Sequence, residues 1–321
     1  GAQQRVVVSL GSPIVTMRCI GSDSIIVATK DGITRCILTS DGSNIWQFSL
    51  GSDAVRSIDV HHAHHKIAVG TINGMVYTVD PLNGTATTIP LQVSASNSPI
   101  VDVAFGNDNT NISLILAACA DGEMYSTIPS TSGLTPLRHY DRPGRCVARY
   151  DDVIALGWSG SITTSYVSPD PLSAAFTNDV DVIINAMLDR SAKRLVTVSQ
   201  GGWAWIWDID ARRPEQVFRI EPIDPLVAPA LSPSGRYLVA MADNSTLALY
   251  DLDDVRAAPT TSVIGGGVFV LKFDPEDDAL LGVGSAVGVT RITVPSLLEG
   301  ITYPSSFGEV IDFAWSPDGT L

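Results

Sequence analysis

The chain has 321 residues, 45% of them hydrophobic, with 34 Asp and Glu against 20 Lys and Arg, a formal charge of −14. Phosphate neutralisation needs the opposite balance, which argues against nucleic acid and anionic membrane surfaces as general partners. Four widely spaced cysteines, Cys19, Cys36, Cys119 and Cys146, exclude a CxxC site and a disulfide framework.

Taken in chain order, "GAQQRVVVSL" has one basic residue and only a brief apolar run, so it is no signal peptide, and residues 5–10 read as a lone strand. With no apolar run of roughly 20 residues to span a bilayer, the chain reads as intracellular and cytoplasmic, with nuclear and ciliary settings also open. From residue 13 a cycle begins. "PIVTMRCI" is followed by the nearly all-apolar "SIIVAT", the turn "KDGI", a third strand and the weaker fourth strand "NIWQF". Cys19 and Cys36 fall on the first and third strands of this unit, with a strand between them, which argues against a bridge.

The cycle then repeats. "AVRSIDV" leads through "HHAHHK" to "KIAVGT", "INGM" and "MVYTVD"; "PIVDVAF" leads to "LILAACA" and "ADGE"; "GRCVARY" leads to "VIALGW" and "WSGS". "DVIINAM", "RLVTVS", "QGGW", "WAWIWD" and "EQVFRI" make a fifth unit, "PLVAPAL", "YLVAMA" and "TLALYD" a sixth, and "VFVLKF", "LLGVG" and "SAVG" a seventh. "VIDFAW" opens an eighth. The first strands recur at intervals of about 37 to 45 residues, the period of a four-stranded propeller blade. Second strands that are apolar throughout predict burial on both faces. Asp-Gly, Asn-Gly and Gly-Gly between β runs predict two-residue hairpins with positive φ at both central residues.

His61, His62, His64 and His65 lie in the connection between the first and second strands of the second unit, the slot held elsewhere by "SPSGRY" and "DPEDDA". A dedicated metal site wants four ligands, or three and water, and no Cys, Asp or Glu lies in this turn. The histidines read as a solvated turn, with adventitious or regulatory metal binding as the alternative. Glu276/Asp277 and Asp253/Asp254 likewise read as solvated charge in polar connections.

With these repeats in place the chain resembles the WD40-repeat β-propeller family. Trp207-Asp208 stands where the namesake dipeptide ends the third strand, with Tyr250-Asp251 and Val79-Asp80 in equivalent slots. "SPSG" at 232–235 and "SPDG" at 316–319 match the turn between first and second strands. The Gly-His dipeptide before the first strand is missing from every unit, so the hydrogen-bonded network built on that His is absent. The resemblance implies a seven-bladed all-β propeller of four-stranded antiparallel blades. It fills 1–321 as one domain, with 5–10 as an N-terminal strand, 13–304 as seven blades and 310–321 as a closing strand or the start of a further blade. An eight-bladed ring, or one propeller of a tandem pair with further domains beyond Leu321, is the alternative.

No P-loop, GxGxxG, HExxH or EF-hand string is present. "GWSGS" at 157–161 lacks the glycine placing and the strand-to-helix setting of a nucleophile elbow. No catalytic residue, cofactor or metal is assigned, and the expectation is a protein that is not an enzyme. "SDGSNIWQFSLGSDAV" and "NGMVYTVDPLNGTATT" are similar to repeats of pyrroloquinoline quinone-dependent dehydrogenases, which makes a calcium-dependent quinoprotein the enzyme alternative. The sequons at Asn83, Asn111 and Asn244 read as coincidental without a signal peptide.

In the propeller family the loop before each first strand and the turn between second and third strands share one face. Around that face residues 137–149 carry Arg138, Arg142, Arg145 and Arg149 against Asp141 alone. Trp158 falls in the adjacent turn and Trp203 in the corresponding turn of the next unit. Arginine beside exposed aromatic rings is typical of binding hot spots, and Arg forks suit carboxylates and phosphates. The expectation is a protein–protein interaction scaffold that receives a protein, or an acidic or phosphorylated peptide, on Arg142, Arg145, Trp158 and Trp203. Pairing of Arg149 with Asp151 or Asp152, and packing of Trp203, Trp205 and Trp207 as interblade core, is the competing reading.

Overall fold

The computed structural model describes residues 8–20, 23–51, 53–61, 66–86, 91–92, 97–107, 113–121, 123–127, 135–139, 144–150, 153–166, 174–191, 193–199, 201–209, 213–220, 227, 229–243, 245–264, 267–274, 276–304, 309–310, 313 and 315, giving backbone alone from 123 to 182. Its contacts divide it into two compact units, chiefly Gly1–Val147 and chiefly Ala148–Tyr166 with Asp170–Trp315.

The first unit is three four-stranded antiparallel sheets in sequence. The first is β1 (Ile14–Ile20), β2 (Ser24–Thr29), β3 (Ile33–Leu38) and β4 (Asn44–Ser49). The second is β5 (Val55–His61), β6 (Lys66–Thr71), β7 (Met75–Val79) and β8 (Leu91–Gln92). The third is β9 (Ile100–Asn107), β10 (Ser113–Cys119), β11 (Glu123–Thr127) and β12 (Thr135–His139). As their composition predicts, second strands are the core: Ile26, Ala28, Ile67, Ala68, Val69, Ile115 and Ala117 are at most 1% exposed.

Burying such a branched side chain is worth about 1.5–3 kcal/mol, so neighbouring sheets are joined mainly by packing. Ile26, Ala28 and Cys36 of the first sheet meet Ile58, Ile67 and Val69 of the second, and Ala68 and Val76 meet Ile100 and Phe105 of the third. Trp46 adds a directed contact, laying its indole on Gly84 and donating Nε1–H to the Pro81 carbonyl at 2.7 Å. Polar links run between first strands. Ser57 Oγ–H donates to Asp102, and Asp59 accepts the Phe105 N–H at 2.7 Å. Cys36 and Cys119 are buried and Cys19 is half-buried; burial raises the Cys36 thiol above its ordinary range.

β13 (Gly144–Tyr150) leads into the second unit. There β14 (Val153–Tyr166), β15 (Ala174–Leu188), β16 (Arg194–Ser199), β17 (Trp203–Asp208) and β18 (Arg213–Arg219) continue it as one six-stranded sheet. This departs from the separate fourth and fifth units that the repeat predicts. β14 runs straight through "WSGS", and β15 joins one unit's last strand to the next unit's first. The cause is local. "SITTSY" is a run of β-formers, Gly160 is absorbed where the register jumps between Ser159 and Ser161, and no glycine or proline interrupts 174–188.

Two regular sheets follow: β19 (Ala230–Leu231), β20 (Tyr237–Met241), β21 (Thr246–Asp251) and β22 (Thr260–Val263), then β23 (Val268–Phe273), β24 (Leu280–Ser285), β25 (Gly288–Thr293) and β26 (Leu298–Pro304). Among the described residues there are thus five four-stranded sheets and one of six strands. Val196, Val198, Ala204 and Ile206 pack on Leu238, Ala240, Ala248 and Tyr250. Val239, Leu247 and Leu249 pack on Val268, Leu271, Leu281 and Val283.

The far face of the last sheet is covered by the segment after it. Phe313 and Trp315 are 6% and 8% exposed and lie over Gly282; Lys272 Nζ donates to the Phe313 carbonyl at 2.6 Å, and Trp315 Nε1–H to the Lys272 carbonyl at 3.0 Å. Val310 touches Gly284 just as Ile100 touches Gly70. Val310, Phe313 and Trp315 therefore pack as Ile100, Val103 and Phe105 do, in the manner of a first strand.

Candidate partner-binding face

The turns between second and third strands are built alike. A Ser or Thr ends the second strand and folds its hydroxyl over the turn: Thr29 Oγ1–H donates to the Ile33 carbonyl at 2.9 Å, Thr71 Oγ1 accepts the Met75 N–H at 3.1 Å, and Ser199 Oγ accepts the Trp203 N–H at 3.1 Å. Ser285 does the same towards the Gly288 carbonyl. The predicted two-residue form with two positive φ values is not what forms. Among the described residues of these turns, positive φ falls on one glycine each, Gly32, Gly74, Gly202 and Gly288, the first three preceded by a turn closed from Thr29, Thr71 or Ser199. A three-residue loop with one left-handed glycine satisfies the twist equally well.

Each turn is stitched to the loop before its own first strand. Lys30 N–H donates to Pro13, Ile72 to Ala54, Ala120 to Pro99 and Ala286 to Gly267, at 2.8 to 3.1 Å. Side chains reinforce this. Asp53 accepts the Asn73 N–H at 3.2 Å and the Tyr77 hydroxyl at 3.5 Å, and Ser98 Oγ accepts the Asp121 N–H at 3.0 Å. Burial, then the Asp53 carboxylate, raises the Tyr77 phenol. The loops on this face are thus held by repeated bonds even without the missing histidine.

Of the four predicted contact residues, Trp203 is the one whose side chain is described. It is the first residue of β17, 37% exposed, paired across the strands with Arg219, whose guanidinium carbon lies 5.6 Å from the indole centroid. Trp205 and Trp207 continue the same strand face inward, stacked at 5.4 Å. Trp207 is buried and donates Nε1–H to Thr197 Oγ1 at 3.0 Å, while Trp205 Nε1 is buried without a partner. The three indoles therefore grade from open rim to core.

Arg142 lies outside the described residues. Arg145 falls on β13 and Trp158 on β14, and both side chains lie outside the described ones; His61 ends β5 rather than lying in the connection, its side chain is likewise outside them, and His62, His64 and His65 lie outside the described residues. Trp158 is therefore a strand residue, not the turn residue predicted, because β14 does not turn at 157–161. Arg219, set against Trp203, is the rim residue that pattern reading missed. It lies on a weak outer strand, and its only sequence signal was alternation in "EQVFRI" opposite "WAWIWD".

Sheets of four antiparallel strands packed face to face, with side chains presented from stitched turns, define the class as an all-β propeller. Among solved structures the chain is similar to the C-terminal WD40 domain of Sif2, with TM-score 0.69 and 12% identity over 88% of this chain and 81% of that one. It is also similar to a chain of the mitotic checkpoint complex, with TM-score 0.61 and 15% identity over 79% and 78%. The fold is a WD40-like propeller. No protein-family model matches the sequence, and no curated protein matches it. Among the described residues no helix is long and apolar enough to cross a membrane.

Proposed function

We propose that this chain is a non-catalytic protein–protein interaction scaffold that receives its partner on the face formed by the second-to-third-strand turns. The observation that carries the reading is Trp203, a half-open indole backed by Arg219 on a turn fixed by Ser199. A large aromatic ring on a rigid support loses little freedom on binding. The partner proposed is a protein segment that is acidic or phosphorylated, met by Arg142, Arg145, Trp158 and Trp203 with Arg219 added. Similarity to a WD40 domain and to a chain of a multiprotein complex supports protein partners in general. The recurrence of the first-strand motif along the sequence supports seven blades in one domain, with 310–321 as a closing strand or the start of a further blade, and the buried thiols support a reduced, cytoplasmic setting.

The test is panning of acidic and phosphorylated peptides, alongside affinity capture from the source cells, with wild type, Arg142→Glu/Arg145→Glu and Trp203→Ala as baits. Each variant is expected to lose the same ligands, by roughly 30-fold or more in affinity for Trp203→Ala as at an interface hot spot, with melting temperature nearly unchanged. If all three baits hold the same ligands equally, the partner lies elsewhere.

A further inference from the structure

At the opposite end of the strands from Trp203, the turns joining first to second strands in three successive sheets of the second unit line an open, shallow groove of about 670 Å³. Its walls are the turns at 189–191, 233–234 and 276–278. They are tied together from below. Arg190 N–H donates to the Pro233 carbonyl at 2.7 Å, and Ser234 N–H donates to Asp278 Oδ1 at 2.8 Å. Asp189, 4% exposed, accepts the Lys193 and Arg194 N–H groups at 2.9 and 2.8 Å and sits against Gly235, where a Cβ would come within 2.7 Å of it. The walls of the groove are thus fixed in place, and it lies open to solvent.

Its charge is one-sided. Asp189, Glu276 and Asp278 line it with Arg190 as the one cation among the lining side chains, and Arg190 lies directly on Glu276. Asp189 is committed to its own turn and Asp278 to Ser234, whereas Glu276 has its side chain 55% exposed and is met by a guanidinium that is itself 46% exposed. Ion pairs this open are weak and exchange readily. Arg190 is the cationic group that meets Glu276 in the groove.

We propose that this groove is a second docking surface, for a basic peptide segment whose Arg or Lys displaces Arg190 from Glu276 and lies along the Asp278 carboxylate. The peptide binds across three turns that are already fastened together, so little ordering accompanies binding. Arg190 acts as an internal competitor that sets the threshold for a cationic partner. The second unit of one acidic protein would then present two rims of opposite preference.

The internal competitor makes the test sharp, because the two halves of one ion pair must act in opposite directions. With the full chain and a fluorescein-labelled peptide of alternating Arg and Gly, Arg190→Ala is expected to tighten binding by about threefold to tenfold. Glu276→Lys is expected to weaken it by about tenfold or more, and affinity to fall steeply with added salt. A Glu-Gly peptide serves as the control and should not bind. If both substitutions weaken binding, or neither moves it, the pair is only a brace between sheets and the proposal fails. Should Glu276→Lys fold poorly by circular dichroism, Glu276→Gln gives the same reading with the charge merely removed.

Discussion

Asp102 holds a carboxylate where its charge is costly. It keeps a small accessible edge on β9, but apolar neighbours crowd it, and this burial raises its pKa above the ordinary carboxylate range despite help from Ser57 and the more distant Arg18; Asp59 nearby raises it further. A group whose folded pKa is raised stabilises the fold below the ordinary carboxylate range and loses that contribution as pH rises through the folded value. Asp102→Asn keeps an oxygen for the Ser57 hydroxyl and the Val103 N–H while removing the charge. The expected result is a melting temperature higher by roughly 2 °C at pH 7, with the gain vanishing in acid where wild-type Asp102 is neutral. Thermal melts from pH 4 to 8 check this, and a gain that persists unchanged in acid would show that the charge was not the cause. Asp251 shows the opposite direction. Its hydrogen bond from Arg236 holds it below the usual range, so the benefit of that exposed pair is present at neutral pH and lost as pH falls.

Between elements the sharpest constraint is Gly84, in the turn after β7. Its φ is +69°, and an added Cβ would come within 2.6 Å of the Trp46 ring carbons, leaving neither the backbone nor the indole free to adjust. Gly84→Ala is expected to destabilise the first unit by about 2–4 kcal/mol, combining backbone strain with overpacking. Trp46→Phe should relieve much of that in the double variant, and urea titration of both measures the coupling. Much of this architecture was legible in the sequence. The all-apolar runs became the buried second strands, and Trp207, Tyr250 and Val79 each end or nearly end a third strand as buried residues before an Asp. Other features were less so. "SIIVAT", "KIAVGT", "RLVTVS" and "LLGVGS" each end in a hydroxyl that closes the turn, a signal present in the letters but masked by attention to the glycines. The merging of the fourth and fifth units was not legible, because a Ser-Gly pair leading into a run of β-formers serves a bulge as well as a turn. Arg219 was hidden for a related reason: on an outer strand no buried stripe reveals which way a side chain faces.

For the second unit taken whole, the residues after β26 matter as much as any strand within it. Phe313 and Trp315 close over Gly282, with Lys272 and Arg291 set against their rings at 5.6 and 5.7 Å. Replacing both aromatics by Ala is expected to cost about 3–5 kcal/mol or more. Hydrogen exchange should quicken in β23 and β24 while β1 to β3 keep their protection, and equal loss in both places would contradict the local account. The same packing has a consequence for how such a chain diverges. Gly70 makes room for Ile100 and Val103, and Gly282 for Phe313 and Trp315, so each glycine and its occupants sit in different copies of the repeat. A copy duplicated or exchanged as one stretch of gene brings a socket cut for one neighbour and a plug shaped for another. Substitutions across repeat borders should therefore be tied in pairs, Gly282→Ala tolerated only with a smaller residue at 313, while the repeats themselves drift apart in sequence.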